Sequence, residues 1–225
     1  MRFAWFAAAL GVALALGALP ASAHTSDRQF WTSTVLTGRF EQSPWQWSVD
    51  VQARFSDDNK GVEQTSVRPA LGYRVREGLD LWVGYADITT HRDGNDVEEQ
   101  RFWQQANYAL GDFAGGAVSG RTRVEQRFRS SGDDAGWRVR QQFRYANPIE
   151  GTPLSIVLSN ETMFTLNETD WGQRSGFDQN RAMAGVQWRV NDGLRIETGY
   201  LNQYSNGVSA DRVSHNLVLN TTLRF

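Results

Sequence analysis

Polar and apolar residues alternate one for one along almost the entire chain, and a pattern with that period belongs to β-strands. In RTRVEQRF, residues 121–128, Arg121, Arg123, Glu125 and Arg127 occupy every second position, with Thr122, Val124, Gln126 and Phe128 between them. Successive side chains of a strand point to opposite faces, so the four charges share one face. WQWSVDVQARF (45–55) likewise sets Trp45, Trp47, Val49, Val51, Ala53 and Phe55 against Gln46, Ser48, Asp50, Gln52 and Arg54. Roughly eleven such stretches follow one another, most of them 10 to 15 residues long. A soluble strand averages about five or six residues, whereas a tilted membrane strand needs roughly 9 to 11. No helical period is present after residue 23.

Two sheets could carry such a pattern. In a soluble sandwich the charged face is the outside and the apolar face the core. In a barrel closed within a membrane the assignment reverses, and the charges line the interior. Lipid excludes the opposite choice there, because an arginine on the lipid face near the midplane costs roughly 2–4 kcal/mol.

The ends and the connections favour the membrane barrel. The N-terminus, MRFAWFAAALGVALALGALPASA, has an early charge at Arg2, an apolar run from Phe3 to Leu19 and a small-residue site at Ala21-Ser22-Ala23. These are the parts of a secretory signal peptide, so residues 1–23 are expected to be removed and 24–225 to form the barrel. Short connections at 76–78, 111–113, 147–148 and 191–193 alternate with longer polar ones at 90–98, 129–136, 167–176 and 205–211. Periplasmic turns and external loops differ in this way in outer-membrane barrels. Both termini of such a barrel normally lie on one side, which requires an even strand count. The expected fold is all-β, an antiparallel up-and-down barrel of about 10–12 strands, in which residues 45–225 supply ten and 28–40 pairs irregularly or splits.

Composition removes other classes. The chain has no cysteine, so disulfide frameworks, thiol nucleophiles and cysteine-bound zinc are excluded. A formal net charge of −2 gives no bulk basic character for nucleic acid. The 9 Trp and 12 Phe sit in a chain of mean hydropathy −0.51. That combination suits scattered apolar positions better than a thick core.

The chain ends in LVLNTTLRF, which places Leu217, Leu219, Thr221, Leu223 and Phe225 on one face. This resembles the terminal strand of bacterial outer-membrane barrels, with Leu223 and Phe225 as the signal read by the assembly machinery. The segments RPALGY (68–73), LWVGY (81–85), RTRVEQRF (121–128), RVRQQFRY (138–145), SNETMF (159–164), NRAMAGVQW (180–188) and ETGYLNQ (197–203) resemble the outer-membrane proteins grouped as domain of unknown function 2490. The resemblance implies the same barrel and the bacterial outer membrane as its location, but no activity.

The expected lumen is rich in arginine. Its charge network is assigned to Arg121, Arg123, Glu125, Arg127, Arg138, Arg140, Arg144, Glu161, Arg181 and Glu197, with Glu125 pairing Arg138, Arg140 and Arg144. Narrow barrels have interiors that side chains can fill, so paired arginine and carboxylate layers are the first expectation and a structural or passive-transport role follows. The excess of arginine makes a narrow anion-preferring pore the alternative. An enzyme acting on lipid or protein is a second alternative. Its one suggestive pair, Ser214 with His215, consists of adjacent strand residues that face opposite ways. The acidic pairs Asp57-Asp58, Asp93 with Asp96, and Asp133-Asp134 match no metal-binding loop, and neither cofactor nor metal is expected. The expected partners are membrane lipid, lipopolysaccharide and the assembly machinery, with no nucleic acid.

Overall fold

The computed structural model describes residues 25–56, 61–92, 94–207 and 210–225. The expected signal peptide, Asp57-Asp58 and Asp93 lie outside these residues. The strands are β1 (Thr25–Arg39), β2 (Trp45–Ser56), β3 (Gly61–Arg76), β4 (Leu79–Thr90), β5 (Val97–Phe113), β6 (Gly116–Arg129), β7 (Gly136–Pro148), β8 (Leu154–Thr165), β9 (Gly176–Arg189), β10 (Leu194–Ser205) and β11 (Arg212–Arg224). Each pairs with its sequence neighbours, and β1 meets β11 to close a barrel.

Residues 45–225 supply ten strands, and the earlier segment is an eleventh. The count lies within the expected range but is odd, so the even count is corrected. Every neighbouring pair is antiparallel except β1 with β11, which run parallel from Thr25↔Arg212 to Thr37↔Arg224. The reason is parity: with an odd number of strands the first and last point the same way. Closing on a parallel seam satisfies backbone groups that an open edge would leave unpaired in hydrocarbon. Side chains reinforce the seam, with Arg212 donating to Asp27 at 2.7 Å and Ser33 to Asn220 at 2.9 Å.

The short connections 40–44, 77–78, 114–115, 149–153 and 190–193 gather at one end, with the C-terminus; the long loops 130–135 and 166–175, with His91 and Asp96, gather at the other. The turn expected at 111–113 falls at Ala114-Gly115. Gly111, with φ of 109°, makes a bulge opposite Val118 and carries β5 on to Phe113.

The alternation becomes two unlike surfaces. Outward-facing Val51, Val67, Leu71, Leu81, Val83, Phe102, Phe143, Ile156, Leu158 and Leu217 are all exposed. Aromatic contacts collect toward both rims: Trp45 with Tyr73 and Trp47 with Phe225 at the turn end; Phe30 with Phe55, Phe164 with Phe177, and Phe177 with Tyr204 at the loop end. An apolar band between two aromatic girdles is the exterior of a membrane-spanning barrel. Outward polar side chains bond one another, as Asn160 and Asn180 do at 3.1 Å and Thr122 and Gln141 at 2.6 Å, which satisfies donors that lipid cannot.

Candidate functional site

The lumen is built from the inward positions of all eleven strands, and its densest cluster of ion pairs lies on the side of β5–β8. Register places Glu125 directly beside Arg138 and Arg123 beside Arg140 on the paired strands β6 and β7. Glu125 is 1% exposed and accepts from Arg138 Nη2 at 2.6 Å and Nε at 3.0 Å, and from Arg140 Nη1 at 2.9 Å. Arg123 and Arg101 approach it at 3.6 and 3.7 Å. Glu161 on β8 accepts from Arg140 Nη2 at 2.8 Å and, skipping one strand, from Arg121 Nη2 at 2.6 Å. Glu99 on β5 takes Arg101 Nε at 2.7 Å and Arg127 Nε at 2.6 Å. Every buried carboxylate in this layer meets more than one guanidinium. The planar fork of arginine permits that sharing, since it offers several parallel donors where lysine offers a point charge.

One expected pairing is different. Arg144 bonds Glu197 on β10 at 2.5 Å, not Glu125. Arg144 is in register with Ser119, three inward positions from Glu125 toward the turn end, so Glu197 lies within reach and Glu125 does not. Arg181 stands 3.6 Å from Glu161 and donates to Gln203 at 2.8 Å.

Sequence reasoning missed the inward aromatic and apolar side chains. Trp31 packs with Met183 and Val218, and Trp103 with Ala86 and Ile88. Trp103 lies flat over Gly84, where an added Cβ would collide with the ring, and the guanidinium of Arg123 sits 4.0 Å from its centroid. Parity carried the signal: Trp31 stands two residues from Gln29 and Ser33, and Trp103 two from Arg101.

At the loop end a cap covers the charged side. Asp170 accepts from the backbone amides of Asp133 and Asp134 at 2.8 and 3.2 Å, and Asp134 accepts from that of Asp170 at 2.9 Å. The amide of Asp133, with that of Asp134, holds the Asp170 carboxyl below the usual carboxylate range. Trp171 donates to Asp134 O at 2.8 Å and lies 5.2 and 5.6 Å from the guanidiniums of Arg127 and Arg129. Asp133 and Asp134 are thus engaged in joining two loops, and no cluster of metal-ligating groups is present among the described residues.

Ser214 and His215 diverge. Ser214 is buried in the interior against Asn216, while His215 faces outward and shares a 2.5 Å hydrogen bond with Tyr200. His91 pairs with Asp96 at 3.0 Å in a loop.

The rest of the lumen is open. A cavity of about 710 Å³ is lined by thirteen arginines and four carboxylates. Its lining reaches from Arg195 and Thr222 near the turns to Arg92 and Arg129 near the loops.

These features define a closed membrane-spanning barrel with an arginine-lined interior. The family model described as a protein of unknown function (DUF2490) matches residues 28–214, and the chain belongs to that family. An uncharacterized protein of Methylorubrum extorquens is 36% identical over 217 residues, covering 94% of each chain. Among solved structures, a KdgM porin in complex with disordered oligogalacturonate overlaps loosely, with a TM-score of 0.46 and 7% identity over 79% of this chain and 90% of that one.

Proposed function

We propose that the protein is a bacterial outer-membrane barrel whose narrow lumen admits small anions, exported with residues 1–23 removed and 24–225 as the mature domain. The observation that carries this reading is the cavity lined by thirteen arginines against four carboxylates. Low-dielectric walls of one sign raise the local concentration of counter-ions. In planar bilayers under a potassium chloride gradient, the reversal potential is expected to take the sign of chloride preference. Cation preference, or no conductance from folded protein, would overturn the pore.

A second reading, a closed barrel with a structural role, draws on the buried Glu125 and Glu161 layer, which fills part of the interior. The bilayer measurement separates the two. A non-enzymatic role is supported by the opposed directions of Ser214 and His215. Partners in this proposal are membrane lipid, lipopolysaccharide and the assembly machinery acting through Leu223 and Phe225, with no nucleic acid. Orientation follows if that machinery holds β11 from the periplasm. Cysteines at Asp134, Gly172 and Gly207 should then label with an impermeant reagent on intact cells, and cysteines at Gly78 and Asp192 should not.

A further inference from the structure

We propose that Arg54, Arg181 and Trp31 form a binding site, in the loop-end half of the lumen, for a compact oxyanion bearing two or more negative charges. The inference rests on the anion-admitting reading above and narrows its substrate class. Its starting point is an arginine without an acceptor: among the described residues the Arg54 side chain has neither an ion pair nor a hydrogen bond. Its guanidinium lies 4.0 Å from the centroid of Trp31. The Arg181 guanidinium lies 5.1 Å from the same centroid, so both cations lie against one indole.

The platform is rigid. Trp31 is buried among Met183, Val218 and Leu201, and its N–H is committed to Gln29 Oε1 at 2.7 Å. The site is preorganised and its charge is not cancelled locally. The carboxylate nearest Arg181 is Glu161, which also serves Arg140 and Arg121 at 2.8 and 2.6 Å, so one negative charge is divided among three guanidiniums. Both arginines line the open cavity.

This geometry selects among anions. Two largely uncompensated cations are neutralised by a divalent anion and only half neutralised by a monovalent one. The guanidinium fork matches a pair of oxygens, as in phosphate, sulfate or a carboxylate, whereas a spherical halide takes a single contact. The cavity lies within the roughly 300–1,000 Å³ range of small-molecule sites.

The test uses folded full-length barrel in detergent, titrated with inorganic phosphate and with succinate, and with chloride at matched ionic strength. Trp31 fluorescence is isolated by subtraction of a Trp31→Phe variant. Saturable change is expected with phosphate and succinate and not with chloride. Arg54→Gln and Arg181→Gln should each weaken it by about tenfold or more, the factor that one charge-assisted hydrogen bond supplies. The heat-modifiable gel shift checks folding, and two variants guard against one that fails to fold. An equal response to chloride, no Trp31-dependent change in wild type, or unaltered titration in folded Arg54→Gln would overturn the site. Titration with the expected pattern in a barrel that shows no anion current would uphold the site and sink the pore.

Discussion

The wall made by β5–β8 and the wall made by β1–β3 both turn polar residues inward and both border the cavity, yet on one the charges are locked into a solid layer of ion pairs and on the other they are left more open. On the first, Glu99, Glu125 and Glu161 sit within hydrogen-bonding reach of Arg101, Arg127, Arg138, Arg140 and Arg121. On the second, Arg68 stands 3.5 Å from Asp50, one oxygen of Asp50 is buried without a hydrogen-bond partner among the described residues, and Arg54 lies on an indole. Positive charge is present on both. Carboxylates placed to draw guanidiniums into contact separate them: where acids fall in register with several arginines the interior condenses, and where an acid bonds elsewhere, as Asp27 does with Arg212, Arg54 remains available to a ligand.

The largest expected effect tests whether the solid wall depends on one carboxylate. Glu125→Ala leaves Arg138 and Arg140 buried with too few acceptors, and breaking a buried pair costs about 3–5 kcal/mol. Urea unfolding in liposomes, followed by the heat-modifiable gel shift, measures it, and a cost near zero would mean that the wall is wet and not condensed. Next comes the adjacent residue on the opposite face. Val124→Arg puts a charge into lipid at a cost of about 2–4 kcal/mol, while Val124→Leu should be tolerated. If Val124→Arg folds as well as wild type, the faces are reversed and both charged walls point outward.

A smaller effect concerns the cap over the solid wall. The Asp170 carboxyl has a folded value below its unfolded one, so the clasp is intact above the ordinary carboxylate range, near pH 4, and is lost as pH falls through the depressed value. Proteolysis of loops 130–135 and 166–175 should stay slow from neutral pH down to about 4 and quicken below it. Asp170→Ala should produce the low-pH behaviour at neutral pH. Opening between about pH 5 and 7 would point to a histidine instead. The smallest effect belongs to the open wall: Arg54→Gln removes no ion pair or hydrogen bond among the described residues, only its contact with Trp31, and its stability should fall by no more than about 1 kcal/mol. A cost approaching that of Glu125→Ala would erase the distinction between the walls.

Much of this was legible in the residues. The alternation in RTRVEQRF assigned Arg121, Arg123, Glu125 and Arg127 to one face, because a strand leaves each side chain only two directions. The same parity predicted the divergence of Ser214 and His215. The partner of Arg144 was not legible, since reaching Glu197 depends on the curvature that brings β7 toward β10 across the lumen. Nor was the cap, in which Asp170 meets Asp133 and Asp134 from loops over thirty positions apart.

Sequence by itself determined the strands, their two faces and the positive character of the interior, because period, length and charge are local properties of the chain. The tertiary structure alone decided how the cylinder closes and which arginines stay unspent. Closure joins β1 to β11 in parallel, a contact between the two ends that no local pattern encodes. It also gathers inward residues of β1, β2 and β9, setting Arg54 and Arg181 on Trp31, where ion pairing is a matter of distance across the barrel and not of spacing along the chain.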